Sequence, residues 1–155
     1  MTYDIGVSSN YNNIWSTNTT SSAIIVTRTD EYTEFREAVS GYNIANTAQG
    51  LTGSCIVEFD FYQVDGENNN SFIQLVNSNA EQSYTGGINI SHFGGSVRNW
   101  YHIKLKIQNG VLTATNTTNG TSFTRNLINT PYALNFWTSV TITTIRFKNF
   151  IIYSQ

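Results

Sequence analysis

Two carboxylates and a phenol occupy alternate positions in one apolar segment of the chain. Glu58, Asp60 and Tyr62 are separated from one another by single Phe residues within the run 54–63. Alternate residues of a β-strand point to the same face, so these three side chains would follow one another at about 6.5–7 Å. Paired carboxyl groups carry out glycoside hydrolysis, and retaining enzymes hold them about 5–5.5 Å apart. The pattern leaves three alternatives open: a plain hydrated sheet face, a sugar-binding face, or a hydrolytic site.

A second group of candidate ligand-binding residues lies in the segment 84–100. Sugar recognition generally uses exposed aromatic rings for the apolar faces of the sugar, and amide or charged groups for its hydroxyls. The segment supplies both kinds of group in Tyr84, His92, Arg98, Asn99 and Trp100. Gly94-Gly95 lies among them and is typical of a loop that a ligand can approach closely. We expect this group to join the carboxylates of 54–63 in one ligand site; packing of Trp100 at a sheet edge is the plainer alternative.

An oxygen-rich loop follows the carboxylate segment. Residues 65–70 read Asp-Gly-Glu-Asn-Asn-Asn. Ca²⁺ takes about six to eight oxygen ligands, and Asp65, Glu67 and Asn68 are the candidate ligands if it binds here. The spacing does not match an EF-hand loop, and Asn and Asp are equally typical of a plain turn. We therefore expect no cofactor, with Ca²⁺ as the alternative.

Other kinds of reactive site have little support in the sequence. The chain holds two histidines, His92 and His102, and no Gly-x-Ser-x-Gly segment of the kind that presents a nucleophilic serine. His102 shares the polar parity of its segment with Lys104, which favours a sheet face over a metal ligand. Cys55 has the apolar parity of its segment, as a buried small side chain would. Because it is the only cysteine in the sequence, a disulfide framework and a multi-cysteine zinc site are excluded.

Charge and hydropathy exclude two further classes of partner. Eight Lys and Arg residues stand against ten Asp and Glu residues, which excludes the basic surface of a nucleic-acid binder. No apolar run reaches about 18 residues, so we expect no membrane insertion. The N-terminus lacks the basic start and apolar stretch of a signal peptide. Asn-x-Ser/Thr sequons, Asn116 and Asn119 among them, arise by chance in so Asn- and Thr-rich a chain and predict no glycosylation.

The elements that must position these residues are predicted to be β-strands. Apolar and polar residues alternate over 100–108, Asn109-Gly110 follows at once, and the strand pattern resumes over 111–115. Asn-Gly between two such runs is the strongest short-range hairpin signal, because both residues tolerate positive φ. Similar patterns predict strands at 23–29, 54–63, 72–77, 87–91, 122–127, 133–137 and 141–153, with an edge strand at 1–7.

Two segments need a further argument. Residues 30–39 fit a helical stripe but also alternate as a strand, and we expect a strand from their context. The apolar residues of 141–153 change parity along the segment: Ile145 and Phe147 share one parity, Phe150 and Ile152 the other. A β-bulge near Lys148-Asn149 places all four on the same side of a sheet.

Strands at this spacing, without an internal repeat or a linker, predict one all-β domain over 1–155. Two antiparallel sheets that each bury one face give a sandwich. Five segments resemble strands of the concanavalin A-like and laminin G-like jelly rolls: 58–61, 86–90, 100–107, 109–116 and 145–153. The resemblance implies an antiparallel two-sheet jelly roll of the lectin and glucanase type.

The resemblance also implies a test for catalysis. Retaining glucanases of this superfamily carry Glu-x-Asp-x-(x)-Glu on one strand, and Glu58 and Asp60 match its first two positions. The third position, the acid/base carboxyl, falls on Tyr62 or Gln63, and neither supplies that carboxyl. We therefore expect a protein that is not an enzyme, with a glycoside hydrolase as the disfavoured alternative.

The Asn- and Thr-rich composition without an export signal is similar to modules of phage tail and baseplate proteins and of microbial surface adhesins. That resemblance implies a glycan-binding or host-attachment module on a virion or at the cell surface, with a cell-surface or wall glycan as partner. The alternative is a structural assembly domain that binds only other subunits of the same appendage.

Overall fold

In the residues that the computed structural model describes, the regular structure is almost entirely β-strand. It describes residues 3–4, 15–16, 24–37, 43–47, 51, 54–65, 71–77, 79, 81, 88, 90–131, 133–138 and 144–154. The strands among these residues are β1 (Tyr3–Asp4), β2 (Trp15–Ser16), β3 (Ile24–Arg28), β4 (Thr33–Glu37), β5 (Asn43–Thr47), β6 (Cys55–Gln63), β7 (Ser71–Val76), β8 (Trp100–Gln108), β9 (Val111–Asn116), β10 (Thr121–Asn126), β11 (Ala133–Thr138) and β12 (Thr144–Ser154). One turn of 3₁₀-helix spans Ile90–Phe93. No helix in this described part is long and apolar enough to cross a bilayer.

The strands form two antiparallel sheets. The larger sheet has eight strands in the order β10-β9-β8-β6-β12-β4-β3, with β1 also paired to β12. The smaller sheet has four strands in the order β2-β5-β11-β7. In the larger sheet β12 pairs with β6 along nearly its whole length, while β4 and then β1 pair with successive parts of its other edge. β6 and β12 are therefore the centre of the larger sheet.

The core lies between the two sheets. In β6 the inward side chains Val57, Phe59 and Phe61 are buried, and the smaller sheet contributes Leu75 and Leu134 to the same apolar cluster. Each fully buried Phe or Leu stabilises the fold by about 1.5–3 kcal/mol relative to an exposed position. Because inward residues alternate with outward ones, this burial also fixes which side chains of β6 face solvent.

The hairpin predicted at Asn109-Gly110 is confirmed. β8 and β9 pair in antiparallel register up to Gln108 and Val111, and the two turn residues have φ of 51° and 74°. Two consecutive residues with positive φ are the mark of a type I′ turn, whose twist matches that of the strands it joins. The turn therefore sets the register of β8, and with it the outward position of each polar residue on that strand.

The β-bulge predicted in the last strand is also confirmed. The register of β12 against β6 shifts between Lys148 and Ile151, and Asn149 has a φ of 53°. The apolar residues on the two sides of the bulge are all buried: Ile145, Phe147, Phe150 and Ile152. The extra residue therefore keeps both halves of β12 on the core, as the change of parity requires.

The other predicted strands agree with the structure except at one place. The segment 30–39 holds β4, a strand as expected, and β1 pairs as the edge element expected in 1–7. The strand predicted at 87–91 is wrong in its second half, because residues 90–93 form a 3₁₀ turn whose Ile90 and Phe93 are both buried. Ile88 forms an isolated β-bridge, and residues 87 and 89 lie outside the described residues. In a 3₁₀-helix residues i and i+3 lie on the same side, so Ile90 and Phe93 both point into the core without a strand.

Two strands were not predicted. β5 was missed because its sequence, Asn-Ile-Ala-Asn-Thr, has few residues of high β-propensity. β2 is only two residues long.

Candidate functional site

Polar and aromatic side chains cover the outward side of β6, β8 and β12. The register between β6 and β8 places Tyr62 opposite Trp100 and Asp60 opposite His102. We name this surface the polar face; it consists of Glu58, Asp60, Tyr62, Trp100, His102, Lys104, Arg146, Lys148 and Tyr153, with Asn149 of the bulge at its side. The strand alternation that buries the core thus assembles groups from three strands that are distant in the sequence.

His102 lies between the two carboxylates of β6. Its Nδ1 is 2.6 Å from Asp60 Oδ1, and its Nε2 is 3.6 Å from Glu58 Oε2. The second oxygen of Asp60 accepts a hydrogen bond of 2.7 Å from Nδ2 of Asn149, the bulge residue. The His102 side chain is 38% exposed and those of Glu58 and Asp60 are 20% and 18% exposed, so a ligand can reach all three.

Glu58 has two further partners. Tyr153 donates its hydroxyl proton to Glu58 Oε1 over 2.8 Å, and Lys104 Nζ lies 3.2 Å from the same oxygen. Burial by itself raises the pKa of Glu58, but the Tyr153 hydrogen bond, Lys104 and His102 together lower it below its ordinary value. The hydrogen bond with Glu58 raises the pKa of Lys104, and burial followed by Glu58 raises that of Tyr153. At neutral pH this part of the face therefore holds an ionised carboxylate, a charged ammonium and a protonated phenol.

Two rings and two cations at one end of the polar face form a group with a third ring, Tyr32, from the turn before β4. We name this group, Tyr32, Tyr62, Trp100, Arg146 and Lys148, the aromatic–cation cluster. The ring centroid of Trp100 lies 5.1 Å from that of Tyr62 and 6.3 Å from that of Tyr32. The guanidinium carbon of Arg146 lies 4.6 Å from the Tyr32 centroid and 5.4 Å from that of Tyr62, and Lys148 Nζ lies 4.2 Å from Trp100. These distances are within the range of cation–π attraction.

The side chain that follows Asp60 on the polar face is a phenol. Tyr62 points outward, whereas Gln63 is fully buried and donates from Nε2 to the backbone oxygen of Asp65 over 3.0 Å. Of the two sequence positions where a third carboxyl was sought, only Tyr62 therefore reaches the face. The series on β6 is carboxylate, carboxylate, phenol.

Arg98 and Asn99 border the face but are held in their own loop. The backbone nitrogen of Arg98 donates to the oxygen of Gln63 over 2.7 Å, which attaches the loop to the end of β6. Asn99 Nδ2 bonds to Ser96 Oγ at 2.9 Å and to Val97 O at 3.2 Å. Both residues thus precede Trp100 at the rim, where these hydrogen bonds hold the loop.

His92 does not join the polar face. Its ring centroid is 5.8 Å from that of Phe123, which lies in β10 opposite the fully buried Ala114. That parity is the inward one, so His92 lies on the other side of the larger sheet from Glu58. The expected place of His92 beside the carboxylates differs from the structure because residues 90–93 form a 3₁₀ turn and not an extended strand. Burial, and then the charge of Arg125, lowers the pKa of His92.

The remaining predicted site residues lie partly outside the described residues. Tyr84, Glu67 and Asn68 are not among those residues. Asp65 is, and its Oδ1 accepts a hydrogen bond of 2.7 Å from the backbone nitrogen of Thr144, at the start of β12. In the described ranges no group of three or more His, Cys, Asp or Glu side chains could hold a metal ion. The Ca²⁺ alternative for this loop stays a prediction.

The two sequons near the hairpin have structural roles. Asn116 is fully buried, donates from Nδ2 to Phe93 O over 3.2 Å and accepts from the nitrogen of Thr118. Asn119 donates from Nδ2 to the same oxygen over 2.7 Å. Both amide groups therefore tie the 3₁₀ turn to the end of β9.

Comparison with known proteins identifies the fold. No family model and no curated protein matches the chain. Among solved structures, a sialidase matches with a TM-score of 0.68 and 9% identity over 93% of this chain, which spans 17% of the sialidase. The carbohydrate-binding module CBM66 from Bacillus subtilis matches with a TM-score of 0.65 and 14% identity, covering 92% of this chain and 98% of the module. A β-glucanase from Bacillus licheniformis matches with a TM-score of 0.57 and 11% identity, covering 99% and 94%.

These likenesses confirm the predicted fold class. The chain is an antiparallel two-sheet jelly roll of the concanavalin A-like type. At such low identities they establish the architecture and leave the ligand to be argued from the side chains themselves.

One expectation from the sequence is corrected by the same comparison. The expectation that the protein is not an enzyme is wrong as drawn, because enzymes are among the structures with this fold: the β-glucanase, and alginate lyases at 14% identity. The missing carboxyl argues against one reaction, hydrolysis by two carboxylates. It carries no weight against other chemistry at His102, Tyr153 or Glu58.

Proposed function

We propose that the polar face binds a saccharide. The observation that carries the proposal is the alignment of Tyr62 with Trp100 and of Asp60 with His102 in adjacent rows of β6 and β8. A sugar presents apolar C–H faces and a rim of hydroxyls, and this surface offers rings in one row and hydrogen-bonding groups in the next. The carbohydrate-binding module among the structural neighbours supports the same assignment.

The geometry favours weak binding of a short oligosaccharide. The rows are one strand period of two residues apart, about 6.5–7 Å, so two rows span roughly one to two sugar rings. The site lies on an exposed sheet, and its polar groups already bond to one another, so a ligand must compete for them. We expect dissociation constants in the high-micromolar to millimolar range, about −4 to −6 kcal/mol.

Titration of labelled protein with neutral and acidic oligosaccharides, followed by NMR, tests the proposal. We expect shifts in Tyr62, Trp100 and His102, and a loss of about tenfold in affinity for Trp100→Ala, because one stacking ring is removed. His92→Ala is the matched control, since His92 lies on the opposite side of the sheet. An absence of shifts across the saccharide panel, or shifts centred on His92, overturns the proposal.

Saccharide cleavage on the same face is a second candidate. It is favoured by His102, an imidazole that Asp60 holds through one nitrogen at 2.6 Å while the other faces Glu58. A histidine oriented by a carboxylate is a general acid–base arrangement, and Tyr153 supplies a second proton donor next to Glu58. Release of reducing ends from alginate or β-glucan, abolished by His102→Gln and kept by His92→Gln, supports cleavage. If the protein binds the saccharide but releases no reducing ends, the face binds without cleaving.

We propose that the domain acts outside the cell, as an attachment module of a virion or a surface appendage; the carbohydrate-binding neighbour and the Asn- and Thr-rich composition support this. Fluorescent protein should then stain intact cells that carry its glycan, and periodate oxidation of the cells should remove the stain. Staining that resists periodate favours the alternative of an assembly domain that binds other subunits.

A further inference from the structure

We propose that the aromatic–cation cluster selects saccharides that carry a carboxylate, and that Lys148 Nζ is the group that recognises it. The inference rests on the proposed saccharide-binding function and names the substrate class of the same face. It follows from how the charges on this surface are paired.

The carboxylates nearest to the cluster are already engaged. Glu34 Oε2 accepts a hydrogen bond of 2.6 Å from Arg146 Nε, so the charge of Arg146 is balanced within the protein. Both oxygens of Asp60 are occupied, one by His102 Nδ1 at 2.6 Å and the other by Asn149 Nδ2 at 2.7 Å. These contacts already compensate much of the charge of both carboxylates, and neither carboxylate forms an ion pair with Lys148 within the described residues.

Lys148 is placed where a cross-strand ion pair would be expected. It is the direct partner of Asp60 in the register between β12 and β6, a position at which opposite charges usually attract. The salt bridges within the described residues do not include it, and its ammonium lies over the Trp100 ring at 4.2 Å. The bulge explains the difference, because Asn149, with its φ of 53°, supplies the amide that takes the Asp60 oxygen instead.

The result is a fixed cation beside a ring surface. The Trp100 ring orients the ammonium, which lowers the ordering cost of using it. A pyranose that packs against these rings brings a carboxylate on its ring carbon close to Lys148, where it forms a charge-assisted hydrogen bond. A neutral sugar of the same shape gains no such bond.

A pair of ligands that differ only in the carboxylate gives the direct test. Calorimetric titration uses an oligomannuronate and its carboxyl-reduced counterpart, which has the same linkage and no charge. We expect the acid to bind about tenfold more tightly at low salt, and the preference to shrink as salt is added. Lys148→Met keeps the apolar stem and should abolish the preference; Lys106→Met, a cation on β8 outside the cluster, should retain it.

A second variant tests the role of the bulge. Asn149→Gly tolerates positive φ, so the bulge is kept, but it frees Asp60 Oδ2 to pair with Lys148. The preference for the acidic ligand should fall in this variant even though Lys148 is present. An unchanged preference would overturn the claim that Asn149, by bonding to Asp60, keeps Lys148 from pairing with that carboxylate.

The outcomes separate this inference from the proposed function. Equal binding of the acid and its reduced form overturns the inference and leaves saccharide binding intact. Binding of neither form in any titration overturns both. An equal loss in Lys106→Met and Lys148→Met shows a diffuse charge effect and also overturns the assignment to Lys148.

Discussion

The inward and outward faces of β6 are built from alternate residues of one strand, yet different forces hold them. On the inward face the fully buried ring of Phe59 packs 6.1 Å from that of Phe147 and 5.6 Å from that of Phe150. On the outward face Glu58 and Asp60 stay partly exposed and bond to polar side chains. A fully buried apolar side chain stabilises the fold by about 1.5–3 kcal/mol, whereas an exposed ion pair contributes about 0–1 kcal/mol. The inward residues of β6 therefore supply most of its contribution to stability, and its outward residues are left for binding.

The largest effect should come from emptying the inward face. Phe59→Ala removes a ring that is fully buried between two others, and we expect a loss of about 3–5 kcal/mol in the free energy of unfolding. Urea denaturation followed by fluorescence measures it. The control is Tyr62→Ala, at an outward position of the same strand. It should cost less than about 1.5 kcal/mol in the free energy of unfolding while weakening saccharide binding. Equal destabilisation by the two variants would contradict the division by parity.

The hairpin turn offers an intermediate effect that belongs to neither face. A Cβ at Gly110 meets no atom within 4 Å, so any cost of a substitution comes from its φ of 74°. We expect Gly110→Val to lose about 1–3 kcal/mol, because a β-branched residue is strained at positive φ. Asn109→Gly is the control, since glycine accepts the φ of 51° found there. A melting temperature unchanged by the valine would show that the turn strain is relieved elsewhere.

Local patterns in the sequence were enough to predict much of this framework. The Asn109-Gly110 turn and the change of parity around Lys148 each depend on a few neighbouring residues, and both predictions are confirmed. Alternation along β6 also predicted that Glu58, Asp60 and Tyr62 share a face. These are short-range properties of the backbone, which a sequence states directly.

The partners of those residues could not be predicted in the same way. Tyr153 and Arg146 reach the polar face through the pairing of β12 with β6 and β4, and Tyr32 comes from the turn that precedes β4. Strand order in a sandwich is a long-range property that alternation does not encode. His102 had the right parity but was interpreted as a surface residue, because its carboxylate partners lie on another strand.

The smallest expected effect is a pH-dependent one on the outward face. Tyr153→Phe removes the hydrogen bond that helps to keep the pKa of Glu58 below its ordinary value. A carboxylate with a lowered folded-state pKa adds stability above its unfolded pKa, and this stability is lost as the pH falls through the folded-state pKa. The variant should therefore be less stable than the parent by under about 1 kcal/mol at pH 7. Urea titrations at pH 7, 5 and 3 should show the two converging toward acid. A difference that is constant with pH would mean that Tyr153 stabilises the sheet by packing, as an inward residue does, and that the polar face is not purely a set of paired charges.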